Sequence, residues 1–298
     1  MKHLLRFVLI LSVLYSVGCA PVPVKLDSYS NVAMEIADSI SRFERRFSGT
    51  ESLSASKDYI SAYLTAAGGS VSVEPEAMDI SSTDRVTLYN IVCKFYPDYR
   101  QRVLLFANYD QNPKSGDTTD CASGAALLMS LSHYIASHDP GVGVDIVLFD
   151  GRYAFNRTNG VNAHLRHCLG SQAWAARHKE ETSDYQYGIS VSHPATKGTV
   201  FAIDGNSNHF ASKHFYFARS LAPLFGAEEL FPDVIANPFY GDNTIVSVVA
   251  GVKSFNLAGT TISFPDTEDV QNDNLQDIDN QRFEIIAKII LETVYTNH

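Results

Sequence analysis

The sequence predicts an α/β domain with a mostly parallel central sheet and helices on both faces. From about residue 86 onward, segments with strand patterning alternate with segments with helical patterning. This alternation is typical of parallel strands joined by helices. Within it, residues 144–149 are apolar except for Asp145, which indicates a central strand largely buried on both faces.

The composition is that of a folded protein with a large core. The chain has 298 residues, of which 45% are hydrophobic and 19% charged. These values exclude a disordered chain, a collagen-like repeat and a coiled coil. Asp and Glu number 33 against 23 Lys and Arg. An acidic chain without a basic cluster argues against a nucleic-acid partner and against a basic face for anionic lipid.

The N-terminal segment has the features of a bacterial lipoprotein signal. Lys2 and Arg6 precede an eleven-residue, mostly apolar run at residues 7–17, which is too short for a bilayer span of about 20 residues. Gly18 then precedes Cys19, although Ser16 stands where lipoprotein signals usually have leucine. We therefore expect cleavage before Cys19 and acylation of Cys19. The alternative is an ordinary signal peptide in which Cys19 is incidental.

The lipoprotein interpretation divides the chain into three parts. Residues 1–18 are the signal peptide, residues 19–30 are a tether, and residues 31–298 form a single domain. The protein is then expected in the bacterial cell envelope, outside the cytoplasm and attached to a membrane through its lipid.

The remaining elements follow from periodicity and from turn residues. Helices are predicted at residues 31–47, 54–67, 122–136, 170–177, 209–224 and 283–295. Strands are predicted at residues 71–73, 86–95, 103–107, 144–149, 187–191 and 252–257. Pro97 and Asp98 predict a hairpin between the strands at 86–95 and 103–107.

Parallel strands place the expected functional site. In such sheets a site lies beyond the carboxyl ends of the strands, so the loops after Ala107, Phe149, Val191 and Leu257 are its expected location. The histidines at 164, 167, 178, 209 and 214 show no metal-ligand spacing and are expected on the surface. After Cys19, the cysteines are Cys93, Cys121 and Cys168; their number is odd and their spacing matches no zinc motif.

Seven short segments form an ordered series of motifs. They are residues 46–50 with 58–64 (R-F-S-G-T, then Y-I and L), 90–92 (N-I-V), 106–110 (F-A-N-Y-D), 119–124 (T-D-C-A-S-G), 149–155 (F-D-G-R-Y-A-F), 169–171 (L-G-S) and 266–275 (D-T-x-D, then N-L). In this order they resemble the zinc-dependent exopeptidase and glutaminyl cyclase superfamily, metallopeptidase family twenty-eight. The resemblance covers roughly residues 40–296, and the cyclase branch fits better because of Ala154, Phe155 and the C-terminal spacing.

The resemblance assigns metal-binding roles to four positions. Asp120 stands where the superfamily has an aspartate ligand, and Asp266 stands where it has a histidine ligand. Tyr153 replaces a glutamate ligand, and Asn108 replaces a histidine that binds metal in two-zinc members. Neither an amide nor a phenol is a good zinc ligand at neutral pH.

The resemblance also assigns catalytic roles to three positions. Arg152 replaces the glutamate that transfers protons, and a guanidinium accepts no proton near neutral pH. Ser192 replaces an aspartate at a strand end, although another alignment assigns that role to Asp204. Asp242 retains an acidic residue of the cyclase pattern, whereas Thr244 replaces its histidine.

These substitutions predict a fold that was kept after its chemistry was lost. Arg152 would repel a metal ion. Its charge would be compensated by an internal ion pair with Asp120 or Asp266, or alternatively by a bound anionic ligand. Asp120 is then more simply a carboxylate that caps the following helix. We expect no cofactor, or zinc if the protein is an enzyme after all.

Three functions remain open at this point. The preferred one is a catalytically inactive module that binds a peptide or an envelope protein. The second is an active metallo-aminopeptidase or glutaminyl-peptide cyclotransferase with a remodelled site. The third is a structural envelope lipoprotein.

Overall fold

The structure is a computed structural model that describes residues 29–79, 85–112, 122–154, 167–260 and 275–297. Cys19, Asp120, Cys121 and Asp266 lie outside these ranges. The helices are α1 (Tyr29–Ser41), α2 (Glu51–Ala66), α3 (Ala122–Ser137), α4 (Leu169–Arg177), α5 (Gly205–Ser220), α6 (Asp242–Val248) and α7 (Asn280–Thr296). The strands are β1 (Ser70–Asp79), β2 (Arg85–Phe95), β3 (Arg102–Asn108), β4 (Gly143–Phe149), β5 (Tyr185–Ser192), β6 (Ile203–Asp204), β7 (Ile235–Ala236) and β8 (Ser254–Ala258).

The central sheet has the order β1-β2-β4-β3-β5-β8. Strands β4, β3, β5 and β8 run parallel to one another, whereas β1 and β2 add an antiparallel edge. This confirms the predicted α/β class with a mostly parallel sheet. The short strands β6 and β7 form a separate parallel pair that the sequence did not predict.

The predicted hairpin between β2 and β3 is wrong. The chain does reverse direction after β2, but β4 is inserted between the two strands and pairs with both. The side chain of Arg102, at the start of β3, donates hydrogen bonds to the carbonyls of Phe95, Tyr96 and Tyr99. These bonds hold the loop between β2 and β3 around the guanidinium of Arg102. The loop connects two strands that are separated in the sheet by β4.

Helices cover both faces of the sheet, as predicted. The larger core layer includes buried side chains of α1, α2, α3, α5 and α7. On the other face, Trp174 of α4 and Val246 of α6 pack with Val92, Phe106 and Val147. Helix α6 was not predicted because its seven residues are too few for a clear periodicity.

Asp145 is the one charged residue of the central strand β4, and it is fully buried. Arg102 Nε lies 3.1 Å from Asp145 Oδ1, and the hydroxyl of Tyr185 donates to Asp145 Oδ2 at 2.5 Å. The ion pair and the hydroxyl together compensate the desolvation of this carboxylate.

Boundaries of two helices differ from the prediction. Helix α1 begins at Tyr29 and ends at Ser41, several residues before the predicted end. Helix α5 begins at Gly205, because Asp204 caps it by accepting hydrogen bonds from the backbone N–H groups of Asn206 and Ser207. None of the helices in the described ranges is long and apolar enough to cross a membrane.

His178 joins the end of α4 to the edge strand β1. Its Nε2 lies 2.9 Å from Glu74 Oε1, and its Nδ1 lies 3.3 Å from Glu181 Oε2. Its ring stacks on Trp174 at 5.2 Å. The expectation of a surface histidine is therefore wrong for His178, whose side chain is 11% exposed.

Replacing His178 by glutamine is expected to destabilise the fold in a pH-dependent way. Burial lowers the pKa of His178, but hydrogen bonds and charge from Glu74 and Glu181 outweigh it, so the pKa is raised. Because the pKa of His178 is higher in the folded than in the unfolded state, its protonation stabilises the fold. This stabilisation is complete below the unfolded pKa of about 6.5 and is lost as the pH rises through the folded pKa. Urea unfolding should show a loss of about 1 kcal/mol near pH 5.5 that shrinks by pH 8.5.

The exposed His209 provides the matched control. The same glutamine substitution at His209 should change stability little at either pH. A His178→Gln loss of equal size at both pH values would contradict a protonated His178.

Candidate ligand-binding site at the carboxyl edge of the sheet

The candidate site begins where β3 and β4 end side by side. Asn108 and Phe149 are register partners at the ends of these parallel strands. The backbone N–H of Tyr109 then donates to the carbonyl of Phe149 at 3.1 Å, so the two following loops leave the sheet together. These are two of the four loops in which the sequence placed the site.

Arg152 lies at the centre of these loops. Its Nη1 is 3.4 Å from Asn108 Oδ1 and 3.4 Å from Asp242 Oδ2. Its guanidinium carbon lies 5.6 Å from the ring centre of Tyr153 and 5.4 Å from that of Phe239. The side chain is only 15% exposed. A fixed positive charge therefore lies close to two aromatic rings and a carboxylate.

Asp242 supplies that carboxylate from the first turn of α6. The partner expected from the sequence was Asp120 or Asp266, and both lie outside the described residues. The Asp242 side chain is 3% exposed. Its Oδ1 is buried and has no hydrogen-bond partner in the described part of the chain. The Arg152–Asp242 pair connects the loop after β4 with a helix that the sequence did not predict.

Asp110 fixes the positions of two predicted site residues. Its Oδ1 accepts from Asn108 Nδ2 at 3.3 Å, and its Oδ2 accepts from the backbone N–H of Tyr153 at 3.1 Å. Burial and the nearby charge of Asp150 hold the pKa of Asp110 well above its usual value. Burial also raises the pKa of Asp150 to about 6, although hydrogen bonds from Ser48 and Tyr89 oppose the rise.

Cys168 lies close to Arg152 and Asp242, a position that the sequence did not predict. It adopts a left-handed conformation (φ 59°) and donates its backbone N–H to the carbonyl of Arg152 at 3.2 Å. Burial, and then the charge of Asp242, hold the pKa of its thiol well above the usual value. Cys168 is thus a neutral, buried thiol. Its only signal in the sequence was its position directly before the motif at residues 169–171.

The two alternatives for the strand-end acid have different environments. Asp204 caps α5, and its carboxylate also accepts from Asn256 Nδ2 at 3.0 Å, so it has a structural role. Ser192 lies at the end of β5, where its carbonyl accepts from the N–H of Gly259 at 3.0 Å. The assignment of the strand-end position to Ser192 stays a prediction.

The two metal positions of the family pattern that the structure describes, Asn108 and Tyr153, hold poor zinc ligands. Zinc needs several deprotonated N, O or S donors around one point. Asn108 offers a neutral amide, Tyr153 a phenol, and Arg152 a cation. Across the described ranges, no three His, Cys, Asp or Glu side chains converge in a way that could hold a metal.

Comparison with known proteins gives one matching family and many similar structures. The model of peptidase family M28 matches residues 90–294. The glutaminyl cyclase of Porphyromonas gingivalis has a TM-score of 0.83 at 21% identity, over 90% of this chain and 98% of that one. The glutaminyl cyclase of Bacteroides thetaiotaomicron, bound to N-acetylhistamine, has a TM-score of 0.81 at 22% identity, over 90% and 97%.

A zinc-dependent exopeptidase from Parabacteroides distasonis is similar as well, with a TM-score of 0.79 at 22% identity over 90% of this chain and 98% of that one. No curated protein matches the sequence. At these identities the structural likeness establishes the fold of the chain.

Proposed function

The chain belongs to peptidase family M28, and we propose that it is a catalytically inactive member of that family. In this proposal it binds a peptide or protein segment at the carboxyl edge of its sheet. The observation that carries this proposal is the position of Arg152, 3.4 Å from both Asp242 and Asn108. The family resemblance places a proton-transferring glutamate at this position. A guanidinium keeps its proton at all physiological pH values, so it supplies neither a base nor an acid there.

Electrostatics supports the absence of a metal in this proposal. A cation at Arg152 raises the free energy of a second cation nearby, and it already neutralises the Asp242 carboxylate. The adjacent Tyr153 would have to lose a phenol proton with a reference pKa near 10 before it could bind zinc.

The rim of the site suits a peptide. The ring of Phe239 packs beside Arg152, and the next residue, Tyr240, is 76% exposed. A half-buried ring beside a guanidinium, followed in the chain by an exposed tyrosine, offers apolar and polar contacts to an extended chain.

The test is the zinc content and the turnover of the full-length protein. We expect no stoichiometric zinc after mild dialysis, and no release or cyclisation of N-terminal residues from peptides that begin with leucine or glutamine. The same peptides should be retained by the immobilised protein. The retained carboxylates Asp120 and Asp242 favour the other candidate, an active aminopeptidase or glutaminyl-peptide cyclotransferase. One-to-one zinc with turnover that an Asp120→Ala change abolishes would establish that enzyme instead.

The lipid anchor is a separate part of the proposal. A Cys19→Ser change is expected to abolish lipid attachment and to move the protein from the membrane fraction to the soluble fraction. Mass spectrometry of the mature N-terminus measures this directly. An unmodified N-terminus at any residue other than Cys19 would exclude the anchor.

A further inference from the structure

The described chain begins at the end of the fold remote from Arg152. Helix α1 starts at Tyr29 and is followed by Arg46, which reaches the carboxyl edge of the sheet. Arg46 Nε donates to the carbonyl of Tyr109, and the Arg46 carbonyl accepts from the N–H of Gln111 at 2.8 Å. The thirteen residues of α1 therefore span the layer from one end to the other, a length of about 20 Å.

A group of tyrosines surrounds Tyr29 at that remote end. We name it the tyrosine face; its members are Tyr29, Tyr96, Tyr99, Tyr134 and Tyr295. The ring centres of Tyr29 and Tyr134 are 6.0 Å apart, those of Tyr134 and Tyr295 are 5.6 Å apart, and those of Tyr96 and Tyr99 are 6.2 Å apart. The Tyr96 hydroxyl donates to the carbonyl of Ile135 at 2.9 Å.

Helix α3 gives a second measure of the same separation. The tyrosine face packs around its C-terminal end, whereas its first residue, Ala122, follows the loop that leaves the carboxyl edge of β3. Its sixteen residues have a length of about 24 Å. The tyrosine face and the Arg152 site are thus at opposite ends of the domain.

From this placement we propose that the tyrosine face is turned toward the membrane and that the Arg152 site faces away from it. The inference rests on the proposed anchor at Cys19. Nine residues lie between that anchor and the helix, and even a fully extended chain of that length spans at most about 35 Å. A domain of this size is about 45 Å across, so the tether is too short to let the far end meet the lipid readily.

The chemistry of the tyrosine face is compatible with a zwitterionic lipid surface. Tyrosine combines an apolar ring with a polar hydroxyl and is favoured at membrane–water boundaries. Tyr99 is 38% exposed, and its hydroxyl donates to Asp139 at 2.8 Å. Acidic neighbours such as Asp139 disfavour strongly anionic lipid. The Arg152 site then receives soluble peptide or protein segments from the aqueous side.

Two exposed tyrosines provide a matched pair for the test. Tyr99 belongs to the tyrosine face, and Tyr240 lies at the rim of the Arg152 site. Each is replaced in turn by p-azidophenylalanine in the full-length protein and labelled with the same donor dye. The protein is reconstituted into phosphatidylcholine–phosphatidylethanolamine vesicles that carry a headgroup acceptor, and energy transfer is measured. The Cys19→Ser versions give the background of unattached protein.

We expect several-fold more efficient energy transfer from position 99 than from position 240. Equal transfer, or more transfer from position 240, in protein that floats with the vesicles would overturn the orientation and leave the anchor intact. Failure of the unsubstituted protein to float would overturn the anchor, and the orientation with it. The two failures are therefore distinguishable.

Discussion

Replacing Val147 by aspartate is expected to leave most of the protein unfolded. Val147 is fully buried in β4, where Val92 of β2 and Phe106 of β3 are its register partners. An unpaired carboxylate at this position costs about 3–5 kcal/mol, a large part of a typical total stability of about 5–15 kcal/mol. The midpoint of urea unfolding, or the yield of soluble protein, measures the loss.

Val234 provides the control for this substitution. It is 48% exposed, so Val234→Asp should cost less than about 1 kcal/mol. An unchanged unfolding midpoint for Val147→Asp would show that β4 is not central. The native Asp145 does not show that β4 tolerates an unpaired charge, because Arg102 and Tyr185 compensate the charge of Asp145.

Reverting three site residues together is expected to create zinc binding. In the triple variant Arg152→Glu, Tyr153→Glu and Asp266→His, the cation that opposes a metal is removed and two ligands of the family pattern are restored. Even changes next to metal ligands alter affinity about 10–100-fold, so two restored ligands should strengthen zinc binding by at least about 10²–10⁴-fold. Isothermal titration with zinc measures this gain, which should precede any recovery of turnover.

A charge-matched control separates site chemistry from net charge. The Arg100 side chain is 88% exposed, and Arg100→Glu makes the net charge more negative by two, as the triple variant does with a neutral histidine. This single substitution should leave zinc binding unchanged. Zinc binding by the control as strong as by the triple variant would mean that acidity alone attracts the metal.

Local pattern accounts for most of the elements of this fold. Alternation and helical spacing depend on neighbouring residues, so α2, β4 and α7 were predicted within a few residues of their observed bounds. The antiparallel or parallel partner of each strand depends on distant residues. Position 145 was recognised as a charge in an apolar strand, but its compensation required Arg102, 43 residues away along the chain.

The sequence by itself determined the family, the fold class and the side chains at each motif position, including an arginine where the family pattern has a glutamate. Only the tertiary structure decided what that arginine contacts. Asp242 lies 90 residues from Arg152 along the chain, on a helix too short to show a period. Likewise, nothing in the local pattern brings Cys168, Asp110 and Phe239 to the same site. The order of residues along the chain determines residue identity and local conformation. Ion pairs and ring contacts between distant residues form only when folding packs the loops at the carboxyl edge together.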